Sequence, residues 1–128
     1  VGGTFVQSLT TGAEIAKAAS DAEAWGFPRV IRPSEIVEAD WFRMGPVVFW
    51  FQHLPEVSTT YFVHIAVNPE ARCRWGARRW LRWIEAYIHD QGGTEIGFIP
   101  ADEGSEAAEE YLRRLGWDET PYGLARAV

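Results

Sequence analysis

Five arginines, Arg72, Arg74, Arg78, Arg79 and Arg82, fall within eleven positions of a chain that has twelve Lys plus Arg in 128 residues and a net charge of −6. They sit in the stretch from Val67 to Leu81, V-N-P-E-A-R-C-R-W-G-A-R-R-W-L. There an apolar strand pattern turns through Asn68-Pro69 into an arginine-rich helical pattern. A strand that hands over to a helix start brings free backbone N–H groups and the positive end of a helix dipole together, which is chemistry for holding phosphate. A basic cluster on an acidic protein suggests a local anionic ligand; the alternative is a solvated helix face.

The elements that must position this stretch follow from pattern and punctuation. Thr4 to Leu9 reads as a short strand, and Thr10 or Thr11 caps a helix carrying Ile15, Ala18, Ala19 and Ala22 that ends near Gly26. Phe27-Pro28 and Arg32-Pro33 break regular structure, and Ser34 caps a short second helix over Glu35 to Ala39. Trp41 to Met44, Val47 to His53 and Thr59 to Val67 read as an antiparallel meander, with Leu54 to Ser58 a connection of hairpin length. At about 100° per residue, Cys73, Ala77, Trp80, Leu81, Ile84, Tyr87 and Ile88 share one buried arc of the next helix, with Trp75 and Trp83 outside it. Gly92-Gly93 ends that helix, and Thr94 to Ile99 is a strand. A last helix starts at Asp102 or Ser105 and turns Ala108, Tyr111, Leu112 and Leu115 inward, with Glu109–Arg113 and Glu110–Arg114 pairs outside. Gly116 caps it, and Trp117 to Glu119 and Tyr122 to Val128 close the chain as strands.

Composition limits the function classes. The length suits a single domain over residues 1–128, with seven Trp and seven Phe to fill its core. The lone Cys73 has no disulfide partner, no apolar run is long enough to span a bilayer, and no signal-peptide pattern opens the chain, so a cytoplasmic protein without a membrane partner is expected. The acidic balance speaks against nucleic acid as a partner. Three scattered His and one Cys offer no metal spacing, and neither a Ser-His-Asp set nor a Walker-type loop can be placed.

Two local patterns then give a family resemblance. Val67 to Ala77 (V-N-P-E-A-R-C-R-W-G-A) resembles the V-x-P-x-x-Q/R-x-x-G-x-G/A pyrophosphate loop of the GNAT superfamily, N-acetyltransferases that move an acyl group from coenzyme A to an amine. Ser105 to Trp117 (S-E-A-A-E-E-Y-L-R-R-L-G-W) is similar to that superfamily's N-x-x-A-x-x-F-Y-x-x-L-G-F helix. The H-I-A-V-N-P wording also resembles short acetyltransferase-like proteins of tailed phages. The resemblance implies an α/β (α+β) GNAT-like fold, with a mixed, mostly antiparallel sheet of about seven strands and three to four flanking helices. It implies acetyl-CoA as co-substrate and a small-molecule or peptide amine as acceptor. Carried over residue by residue, the amides of Cys73, Arg74, Trp75, Gly76, Ala77 and Arg78 would cradle the pyrophosphate, with charge from Arg72, Arg74 or Arg78. Ile65, Ala66 and Val67 would pair with the pantetheine arm, and Ser105 would stand in the Asn position of the second motif.

Three positions depart from the family pattern. Trp75 falls on the first required glycine, Ser105 replaces Asn, and Leu112 stands where many members place a Tyr that protonates the leaving thiolate. Tyr111 points about 100° away from that position. Acetyl transfer also needs a group to take the ammonium proton. His64 is the candidate base, since its ordinary pKa lies near neutrality, and the alternative is a hydrogen-bonded sheet histidine. Tyr61 and Glu95 are further candidates, and strand parity puts Tyr61 and His64 on opposite faces unless a bulge intervenes. The sequence thus supports two expectations: an acetyltransferase, possible homo-oligomer included, or a GNAT-fold protein without catalysis that binds or builds, for example in a phage virion with other virion proteins.

Overall fold

The computed structural model describes residues 6–53, 59–72, 74–101 and 104–128. Thr4, the Leu54 to Ser58 connection, Cys73 and Asp102 lie outside them, with the expectations attached to each. In chain order the elements are β1 (Gln7–Leu9), α1 (Gly12–Ala24), α2 (Pro33–Glu38), β2 (Asp40–Met44), β3 (Val47–His53), β4 (Thr60–Val67), α3 (Ala77–Asp90), β5 (Glu95–Phe98), α4 (Glu106–Arg114), β6 (Asp118–Thr120) and β7 (Gly123–Ala127). The strands form one seven-stranded sheet in the order β1-β2-β3-β4-β5-β7-β6. All its pairings are antiparallel except β4 with β5, which is parallel.

Period-2 alternation divides the aromatic-rich strands between two cores. Phe49 and Phe51 of β3 and Val63 of β4 face Trp80, Leu81, Ile84 and Ile88 of α3 and Leu112 of α4. Val48, Trp50 and Ala66 face the other way, towards Ala18, Ala19 and Ala22 of α1 and Ile31 before α2. Residues Val47 to Phe51 of β3 are buried on both faces, which is why that run lacks the polar alternation of a surface strand. Small alanines on α1 let the helix lie close to the sheet, and an Arg43–Asp21 pair at 2.8 Å fastens it to β2.

The capping expectation holds at α1, where Thr11 and Glu14 form a reciprocal capping box. It fails at α2: the helix begins two residues earlier than expected, with Arg32 at the cap position and Pro33 as its first residue, a place where the missing N–H costs nothing. Helix α3 begins at Ala77, later than the stripe from Cys73 requires, because a 3₁₀ turn over Pro69–Ala71 and a left-handed Gly76 (φ 80°) intervene. In α4 only Leu112 is buried; Ala108 is exposed and Tyr111 is 39 % exposed, so the nine-residue helix is held by its C-terminal half. Both expected ion pairs on its outer face form, at 3.5 Å for Glu109–Arg113 and 2.6 Å for Glu110–Arg114.

Candidate active site

The parallel pairing of β4 and β5 is short. It joins Thr60 to Glu95, Tyr61 to Ile96 and Phe62 to Gly97, and among the described residues goes no further. Strand β4 continues for five more residues on its pairing with β3 alone, up to Val67 opposite Val47. Ile99-Pro100 follows β5, and a proline has no N–H with which to extend a ladder. The sheet therefore splits after Phe62, and Ile65, Ala66 and Val67 lie along the open side of β4. The β3–β4 register runs from Val47–Val67 to His53–Tyr61 without a bulge, so Tyr61 and His64 do face opposite sides of the sheet.

The open edge leads into the arginine-rich loop. The Asn68 amide donates to the Pro46 carbonyl at 2.8 Å, and the Asn68 side chain accepts from the Glu70 amide at 3.0 Å, which sets the tight turn after the strand. Gly76 supplies the left-handed conformation from which α3 starts, and the Trp80 amide makes the first helical bond, to the Gly76 carbonyl. The amides of Ala77, Arg78 and Arg79 thus open the helix without intrahelical acceptors, at the positive end of its dipole. The glycine that the turn requires is present one residue after the position where the motif has it. Trp75 is half-buried, and its indole packs inward on Trp80 with ring centroids 5.6 Å apart.

The arginines divide by partner. Arg72 donates to the Trp25 carbonyl at the end of α1 (2.9 Å), and Arg74 donates to the Glu70 carbonyl (3.2 Å). Arg78 and Arg79 are exposed and make no ion pair among the described residues. Ser105 is buried at the start of α4, its hydroxyl 3.2 Å from both the Ala101 carbonyl and Glu109 Oε2.

On the α1/α2 side of the split lies a polar cluster within an aromatic surround. His64 is 6 % exposed, with Nδ1 3.4 Å from Arg29 Nη2 and Nε2 3.1 Å from Gln52 Oε1. Burial, then the nearby charges of Arg29 and Arg32, push its pKa down to about 4 against the opposing pull of Glu35, so the ring is neutral near pH 7. Glu35 is buried too, which alone would raise its pKa. Hydrogen bonds from both Nη atoms of Arg29 (2.6 and 2.9 Å), from Trp50 Nε1 (2.8 Å) and from the Arg32 amide (3.2 Å) outweigh that and hold it at about 2. Tyr122, in the turn between β6 and β7, is half exposed and lies over Phe62, the last β4 residue paired with β5.

In chain order the edge of β4 at Ile65, Ala66 and Val67 leads through the turn at Pro69–Ala71 to Gly76, Ala77 and Arg78 at the start of α3. Arg72 and Arg74 are turned onto carbonyls of the loop and α1, and Glu95 accepts from Thr60 Oγ1 at 2.8 Å. Sequence reasoning passed over Glu35, Arg29 and Gln52. No spacing rule signals a buried carboxylate whose partners come from a loop, the cap of its own helix and a strand.

No family model and no curated protein sequence matches the chain. Solved structures do. The ribosomal-protein-alanine N-acetyltransferase of Escherichia coli superposes with a TM-score of 0.68 at 16% identity, covering 98% of this chain and 94% of that one. Ard1 of Thermoplasma volcanium gives 0.71 at 11% identity, with 97% of each chain covered. An aminoglycoside 6'-N-acetyltransferase solved with coenzyme A gives 0.69 at 12% identity, with 96% of each covered. With its seven-stranded sheet, its split between β4 and β5 and these end-to-end likenesses, the chain has the fold of the GNAT superfamily of acetyltransferases.

Proposed function

We propose that the chain is an N-acetyltransferase that uses acetyl-CoA to acetylate an amine. The observation that carries this reading is the continuous track from the free amides at the start of α3, past Gly76, along the unpaired edge of β4 to the last β4–β5 pair at Phe62 and Gly97. The amides of Ala77, Arg78 and Arg79 suit a pyrophosphate, with Arg78 adding charge. The backbone of Ile65, Ala66 and Val67 suits the amides of a pantetheine arm, as an added strand would. Ser105 fixes the start of α4 on the far side of the split. Acetyl-CoA, when bound, supplies an activated acetyl group as a thioester.

The acceptor side is the α1/α2 face, where Phe62, Tyr122, His64 and Gln52 surround the end of the track. His64 acts as a positioning group rather than as the base: its lone pair faces the Arg29 guanidinium and its N–H faces Gln52, so neither nitrogen is directed at an incoming amine. The ammonium proton then passes to water on the open side of the split. A second reading, coenzyme binding without turnover, is favoured by α4, where Leu112 points inward and the Tyr111 phenol points out.

Calorimetry with acetyl-CoA, followed by coenzyme A release against a panel of amines, separates the two. Binding at sub-millimolar ligand with thiol release on at least one amine is expected. Binding without release leaves the second reading, and no binding at millimolar ligand removes both.

A further inference from the structure

Glu35 is the only buried acidic side chain among the described residues, at 2 % exposure. It takes both Arg29 Nη atoms, Trp50 Nε1 and the Arg32 amide on its carboxylate, and Trp41 Nε1 donates to its backbone carbonyl at 2.8 Å. Both Nη atoms of Arg29 are committed in turn: Nη1 also donates to the Val30 carbonyl at 3.0 Å, and the second hydrogen of Nη2 faces His64 Nδ1. A guanidinium only donates, so the facing Nδ1 must be the lone-pair nitrogen of the imidazole. The ring proton then sits on Nε2 and is given to Gln52 Oε1, which turns the Gln52 NH₂ group away from His64. Gln52 lines a cavity of about 170 Å³. A chain of fixed polarity therefore runs from α2 across β4 to β3, ending beside Phe62, the residue paired with Gln52.

Stability alone does not call for this chain, because a buried ion pair contributes little beyond what apolar side chains of similar volume would give. Its location gives it another purpose. It stands on the face of the sheet from which the acceptor reaches the β4–β5 split, and an aliphatic amine arrives there as an ammonium. Arg29 uncompensated would repel it; Arg29 bound to Glu35, beside a neutral His64, does not.

We propose that Glu35 is a positioning residue for acetyl transfer: through Arg29 it fixes the tautomer of His64 and the orientation of the Gln52 amide, so that a cationic amine meets a wall of set hydrogen-bond polarity in which the charge of Arg29 is balanced. This rests on the acetyltransferase reading given above and names the acceptor class it favours.

Glu35→Gln keeps the shape and removes the charge. In protein labelled with ¹⁵N-histidine, wild type should show His64 as a single tautomer protonated at Nε2, and Glu35→Gln should lose that signature. With the best amine from the panel, its KM should rise about tenfold or more, while kcat and the acetyl-CoA dissociation constant stay within about twofold. Gln52→Leu removes only the far end of the chain, and should relax the same tautomer and raise the same KM if Glu35→Gln does not fold. An unchanged tautomer in both variants overturns the proposal, as does a changed tautomer with an unchanged amine KM. A wild type that binds no acetyl-CoA overturns the acetyltransferase reading and the acceptor role with it, whatever the tautomer spectra show.

Discussion

The indole of Trp75 lies against that of Trp80 with centroids 5.6 Å apart and planes at 67°, so the residue standing where the coenzyme loop of the GNAT superfamily has glycine is turned into the core. The conformational need for glycine is met next door, by Gly76 at φ 80°. Trp75 is therefore packing, and its amide remains on the loop. Trp75→Gly should cost about 1 to 3 kcal/mol of stability, as expected for a large ring removed from a partly buried site, and should leave the acetyl-CoA dissociation constant unchanged or lower. Urea unfolding and calorimetry on the same sample check both halves.

The arginines of the loop are not equivalent. Arg78, exposed in the first turn of α3 and without an ion pair among the described residues, should lose about 1 kcal/mol of coenzyme binding when changed to Ala, an effect that shrinks with added salt. Arg72→Ala should instead lower stability by about 1 kcal/mol, because its hydrogen bond to the Trp25 carbonyl joins the loop to α1, and should leave coenzyme affinity nearly unchanged. Equal losses of affinity in both variants would contradict this division.

Acid should destabilise the protein over two successive pH ranges. His64 has an ordinary pKa of 6.5 and a folded value of about 4, so the unfolded chain takes up a proton first and stability declines as pH falls from 6.5 towards 4. Glu35 has an ordinary value of 4.5 and a folded value of about 2, so its contribution is complete above pH 4.5 and is lost as pH falls from there towards 2. Urea midpoints measured across this range should show both limbs in wild type. His64→Gln should lack the upper one.

Gly97 is held small by Phe62. A Cβ at position 97 would fall 2.6 Å from the Phe62 ring, which is 1 % exposed and has the Tyr122 ring edge-on to it at 6.0 Å. Gly97→Ala should destabilise by about 1 to 3 kcal/mol through overpacking and, by moving Phe62 at the apex of the split, should also slow acetyl transfer. Thermal melts and turnover on the best amine would show it; a variant as stable as wild type would mean that the ring has room to move.

Local signals read well from the residues. The strand alternation of β3 and β4, the Thr11–Glu14 box, the stripe of Trp80, Leu81, Ile84 and Ile88 and the outer ion pairs of α4 each depend on neighbours one to four positions apart. The start of α3 did not, because Asn68 capping a 3₁₀ turn delays a helix that periodicity alone extends back to Cys73. Tyr111 and Ala108 misled for a related reason: a 100° step decides which of two adjacent residues faces in, and Leu112 takes that place. The passage from the edge of β4 to the start of α3 was legible because it follows one strand into one helix. The Glu35, Arg29, His64 and Gln52 cluster was not, since it joins residues up to 35 positions apart through side chains whose directions only the assembled sheet fixes.

The three residue pairs that join β4 to β5 also bear on how the molecule comes apart. On one side of that seam, β1 to β4 pair antiparallel in chain order; on the other, β5 pairs with β7, and β7 with β6. Few hydrogen bonds cross between the two blocks, so partial opening should begin there, with amides of β5 exchanging with solvent well before those of β3. A coenzyme lying in the split would close the seam as well as bring an acetyl group, and exchange at β5 should slow when it binds.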